Sequence, residues 1–180
     1  MKPISDMSRT EFASYVASKL RECGITVVLS GGSCVSIYSD DKYVSMDLDF
    51  IEVGLFSRAA ITRCMCSLGF VEMNRYFKHT DTDLLVEFPA GPLGIGNEPI
   101  TEYEEITTSV GCLRLLSPTD CVKDRLAWFF HTGDTECLEQ AYLVAGQQKV
   151  DVQEIERWSI GEGKKEDFTE LKGTLISTQK

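Results

Sequence analysis

The sequence predicts an α/β (α+β) protein: a mixed central sheet with flanking helices, followed by a C-terminal helical module. Three observations carry this prediction. Short apolar and β-branched runs alternate with helix-period segments through the first two-thirds of the chain. From "LSPTD" onward the pattern is helical only. The chain has 180 residues, 43% apolar and 26% charged, enough for one well-buried domain or one domain with a small appendage.

Taken in order, Ser8-x-x-Glu11 reads as a capping box, and Phe12, Val16 and Leu20 follow at helical spacing until Gly24 stops the helix. Residues 25–29 form a short, fully apolar strand. Gly31 and Gly32 break it, and a short helix starts near Ser33. A second strand spans 44–53. Ser57 caps a helix reaching about residue 68, with Gly69 at its end. "FVEM" and "RYFKHT" read as shorter strands, and 84–88 as another buried one. Pro89, Gly91, Pro92, Gly94 and Gly96 make a constrained loop, and 100–107 with 112–116 can pair around Gly111. Ser117 and Pro118 then start the first of four helices, fitting 118–131, 134–145, 151–158 and 164–175 and broken by Gly133, Gly146 and the Gly161/Gly163 pair. The expected division is a sheet domain over 1–116 and a helical module packed on it over 117–180.

Composition narrows the function. A net charge of −10 opposes a broad electrostatic hold on nucleic acid, though not a nucleotide that brings its own metal ions. No apolar run reaches the roughly 18 residues of a membrane span, and the N-terminus lacks the apolar core of a signal peptide, so a cytoplasmic protein is expected. The seven cysteines are odd in number and mostly scattered, and read as small buried hydrophobes in a reducing compartment. Two histidines, His79 and His131, do not support zinc catalysis. "GGSCV" lacks the nucleophile-elbow spacing, and "GPLGIG" does not follow a Rossmann strand-to-helix turn. Trp128 and Phe129 are expected in the core.

Residues 27–53, "VVLSGGSCVSIYSDDKYVSMDLDFIEV", carry the chemistry. On a strand Asp47 and Asp49 project the same way, about 7 Å apart, while Leu48 and Phe50 point inward. Two carboxylates so placed repel each other unless a hard cation such as Mg²⁺ lies between them. A third on an adjacent strand would complete a two-metal site. Glu87, inside the apolar run "DLLVEF", is preferred for that role, with Asp83 as its competitor. Gly31-Gly32-Ser33 places free N–H groups and a helix N-terminus where phosphates could sit, and the Ser33 hydroxyl can add a donor. Lys123 and Arg125 are the candidate phosphate-binding cations of the helical module.

In order and spacing, "LSGGS", "MDLDF" and Glu87 resemble the signature of the nucleotidyltransferase superfamily with the polymerase-beta-like core. The run "LSPTDCVKDRLAWFFHTGDTECLEQA" resembles the helical segment of its compact bacterial and archaeal members, some related to abortive-infection toxins. The resemblance implies a nucleotidyltransferase-like sheet and transfer of a nucleoside monophosphate from an NTP to a hydroxyl, releasing pyrophosphate. It implies Asp47, Asp49 and Glu87 as ligands to two Mg²⁺ (or Mn²⁺) ions, with Gly32 and Ser33 on the triphosphate. The acceptor is left open between protein, small molecule and tRNA. The alternative is a non-catalytic nucleotide-binding regulator, or a toxin-antitoxin module with an antitoxin-like partner. A structural domain whose acids form a solvated face is the third reading.

Overall fold

The computed structural model describes residues 2–54 and 57–179; the ends of the expected domains, 1 and 180, lie outside them. The capping box is formed. Glu11 N–H donates to the Ser8 hydroxyl and Ser8 N–H to the Glu11 carboxylate, opening α1 (Arg9–Glu22). β1 (Val27–Ser30) is fully buried, and α2 (Gly31–Tyr38) follows it without a break. β2 (Asp47–Glu52) starts later than expected, because residues 40–46 form a polar turn held by Ser36 and Arg9. α3 (Arg58–Ser67) is capped by Ser57. β3 (Val71–Met73) and β4 (Tyr76–Lys78) form a hairpin, and β5 (Leu85–Glu87) follows.

The constrained loop contains a small hairpin that was not foreseen, β6 (Gly94–Ile95) with β7 (Glu98–Pro99). β8 (Glu104–Thr108) and β9 (Gly111–Leu115) pair antiparallel around the expected turn. β8 begins four residues late because Ile100 N–H is taken by the Leu93 carbonyl at 3.1 Å, within the loop. Four helices complete the chain: α4 (Pro118–Thr132), α5 (Thr135–Gln147), α6 (Val152–Gly161) and α7 (Lys165–Thr178). Gly133 caps α4 in the left-handed conformation, as its position suggested. Gly146 does not end α5; it packs against the Thr178 backbone, where a larger residue would crowd α7.

Among the described residues the main sheet has seven strands in the order β3-β4-β5-β2-β1-β9-β8. It is mixed: β2 runs parallel to β5 and β1 to β9, while β1–β2, β3–β4, β4–β5 and β8–β9 are antiparallel. One apolar core joins the sheet to both sets of helices, running from Phe12 and Val28 through Leu126 to Trp158. α4 packs against α2, and its Asp124, Arg125 and Trp128 line the same cleft as Asp47 and Asp49. The β6–β7 hairpin is fastened to α6. Trp158 Nε1–H donates to the Ile95 carbonyl, and Arg157 grips both Glu98 oxygens at 2.8 and 2.7 Å.

The cysteines correct the expectation of free thiols. Cys23, at the end of α1, and Cys64, on α3, form a disulfide with their Cα atoms 6.4 Å apart. Helix packing brings together two residues 41 positions apart, a juxtaposition that spacing in the chain does not reveal.

Candidate active site

The site is built from strand alternation. Along β2, Leu48 and Phe50 are fully buried while Asp47 and Asp49 face the other way, half-buried. β5 lies beside β2 in parallel register, pairing Leu48 with Val86 and Asp49 with Glu87. Val86 therefore joins the core and Glu87 stands level with Asp49. One oxygen from each of Asp47, Asp49 and Glu87 lies within 4.8 Å of the others. Asp83 precedes β5 and is not part of this cluster.

Each carboxylate has a distinct environment. The Ser45 hydroxyl donates to Asp47 Oδ1 at 2.7 Å. Ser45 is itself pinned: its N–H donates to Ser36 Oγ at 3.0 Å, and its carbonyl accepts from Arg9. Asp49 is pushed up to about 7, first by burial and then by the negative charges of Asp47 and Glu87; Arg125 opposes the rise. Glu87 Oε2 lies 3.4 Å from Arg75 Nε. Three acids so close, with Asp49 resisting ionisation, form an oxygen-rich set that a hard divalent cation would satisfy. The residues present fit such an ion.

The cluster forms one wall of a cleft of about 440 Å³, opposite Asp124, Arg125 and Trp128 of α4. Arg125 is buried and committed to its neighbours: it donates to Asp124 Oδ2 and to Gln140 Oε1 at 3.3 Å. Arg75, reaching in from the β3–β4 turn, is exposed. Ser30 and Gly31 line the floor.

Several residues expected at the site sit otherwise. Ser33 is fully buried and its hydroxyl donates to the Asp47 carbonyl, tying the start of α2 to β2. Gly32 is buried beneath Tyr43 and Ser45. Lys123 is buried away from the carboxylates, its ammonium held by Asp120 at 3.2 Å and Glu154 at 2.7 Å, and it lines a different cavity with Glu98 and Thr119. Trp128, expected in the core, is 54% exposed, because α4 turns that face to the cleft. Two residues were missed. Ser45 could have been suspected from its place two before Asp47 on an extended chain. Arg75 shows no signal until β4 is laid beside β5.

No protein-family model matches this chain, and no curated protein matches it. Two solved structures do. One is the solution structure of the antibiotic-resistance factor ANT(2'')-Ia, 14% identical, with a TM-score of 0.52, covering 94% of this chain and 95% of that one. The other is a crystal structure of ANT(2'')-Ia in complex with adenylyl-2''-tobramycin, 16% identical, with a TM-score of 0.48, covering 91% and 94%. The first likeness establishes the fold over nearly the whole of both chains: the mixed sheet with its C-terminal helices is shared with that resistance factor.

Proposed function

We propose that the protein is a nucleotidyltransferase that moves a nucleoside monophosphate from an NTP to a hydroxyl of a small molecule. The observation that carries this reading is the meeting of Asp47, Asp49 and Glu87 from two parallel strands on one wall of a cleft. The acceptor oxygen attacks the α-phosphorus, the bond from that phosphorus to the β-bridging oxygen breaks, and pyrophosphate leaves. Glu87 receives the hydroxyl proton. Mg²⁺ held by the three acids would supply charge neutralisation and lower the pKa of the attacking hydroxyl. Asp47, fixed by Ser45, and Asp49, fixed against Gly31, keep the carboxylates pre-oriented, so little reorganisation is needed when charge develops. Arg125 lies across the cleft, where its charge can offset that of the leaving group.

A small acceptor is favoured over a long RNA or a protein for three reasons. The cleft, about 440 Å³, is of the size that small molecules fill, and Asp124, Arg125 and Trp128 of α4 line part of it. The net charge of −10 opposes a long RNA in particular. The fold neighbour is described as an antibiotic-resistance factor with substrate-regulated dynamics. The toxin-like subtype and an antitoxin-like partner find no counterpart in that likeness. Among the described residues no helix is long and apolar enough to cross a membrane, and use of an NTP fits a cytoplasmic protein.

The test is transfer of label from each α-labelled NTP, with Mg²⁺, to a panel of hydroxyl-bearing small molecules, pooled RNA and pooled protein. Pyrophosphate release and label in the small-molecule fraction, both lost in Asp49→Asn, are expected. Nucleotide binding without turnover on any acceptor would support the non-catalytic regulator instead. Neither binding nor turnover would remove the reading altogether.

A further inference from the structure

Arg75 occupies the turn between β3 and β4, beside Asn74 with its positive φ of 58°. Its backbone is anchored, since the Arg75 carbonyl accepts from Arg58 at 3.3 Å. Its side chain is held only at the surface. It is 69% exposed, donates to the Tyr76 hydroxyl, lies 4.8 Å above the centroid of the Tyr76 ring, and reaches Glu87 through one 3.4 Å approach. Tyr76 and Glu87 are register partners across β4 and β5, so the ring supports the guanidinium beside the carboxylate. The other cation lining the cleft, Arg125, is buried and already engaged by Asp124 and Gln140.

Glu87 is therefore claimed twice, by the guanidinium and by any divalent cation the three acids bind. Both cannot hold it equally. A metal ion at Glu87 repels the guanidinium, and the oxygens of a metal-bound polyphosphate attract it. Arginine suits this exchange because it stays charged and its planar fork matches phosphate oxygens. We propose that Arg75 is an exchanging counter-cation, paired with Glu87 in the ligand-free cleft and transferred to the phosphates of a bound metal–nucleotide. This rests on the nucleotidyltransferase reading. It adds a phosphate-binding residue from outside the GGS turn and the helical module.

The signature is a pair of opposite effects. In Arg75→Ala, Mn²⁺ binding without nucleotide, followed by the electron paramagnetic resonance of free Mn²⁺, should tighten by up to about fivefold, the worth of one exposed ion pair. Inorganic triphosphate with Mg²⁺, measured by calorimetry, should bind roughly tenfold more weakly through loss of a charge-assisted hydrogen bond. Arg75→Lys should leave Mn²⁺ near wild type and give an intermediate loss for triphosphate. If Arg75→Ala weakens both ligands, Arg75 merely positions Glu87 and the exchange is wrong. If only one affinity moves, or neither does, the exchange is likewise wrong. Wild type that binds no triphosphate with Mg²⁺ would instead overturn the nucleotidyltransferase reading, and this proposal with it.

Discussion

Gly31 and Asp49 meet so closely that a Cβ on Gly31 would overlap the Asp49 carboxylate. Gly31 also has a φ of 67°, a conformation that side chains disfavour. The first glycine of the GGS turn thus makes room for a carboxylate as well as opening α2. Gly31→Ala should cost about 1–2 kcal/mol from the backbone alone. It should also displace Asp49, so divalent-metal affinity falls together with the melting temperature. A thermal melt and a Mn²⁺ titration check this; unchanged metal affinity would mean that Asp49 adjusts freely.

The raised pKa of Asp49 makes stability depend on pH in a defined direction. Its folded value is about 7 against an ordinary 3.8, so between about pH 4 and 7 the unfolded chain releases the proton first. The contribution is present below pH 4 and lost as pH rises through 7. Metal-free protein should therefore lose stability across that window through this group, and Mg²⁺ should raise the melting temperature more at pH 8 than at pH 5. Asp49→Asn should flatten both trends. At pH 8 without metal it should melt higher than wild type by roughly 2–4 °C, the equivalent of about 1 kcal/mol in a chain of this size. Identical melting curves for the two proteins at both pH values would contradict the assignment.

Ser45 acts on Asp47 without lining the cleft itself. Ser45→Ala removes the donor to Asp47 Oδ1 but leaves the Ser45 N–H and carbonyl contacts in place. Apparent metal affinity should fall by roughly tenfold, the usual cost of losing a group that orients a metal ligand. Calorimetric titration of Mn²⁺ into the variant gives the answer, with a melt to confirm that the fold is kept.

The Cys23–Cys64 bridge predicts a thiol count. Protein unfolded without reductant should show five reactive thiols, from Cys34, Cys66, Cys112, Cys121 and Cys137. After reduction it should show seven. In the native protein Cys66, the exposed one, should react first. Seven thiols before reduction would mean that the two sulfurs lie together unbonded.

The sequence by itself determined the element types outside the 89–99 loop, the alternation that turns Asp47 and Asp49 to one face, and the helical character of the last third. These depend on local rules: strand period, caps such as Ser8 and Ser117, and the turn residue Gly133. Glu87 was legible too, because an acid inside an apolar strand has few other uses. Only the tertiary structure decided the rest. That Asp49 and Glu87 stand level follows from the register of two strands 38 positions apart, fixed by Leu48 and Val86 sharing the core. The surroundings of Ser33, Lys123 and Trp128 were not legible for a common reason. Whether a side chain meets the cleft, a neighbouring backbone or a buried ion pair depends on how helices rotate against the sheet, and no spacing rule within one helix reports that rotation.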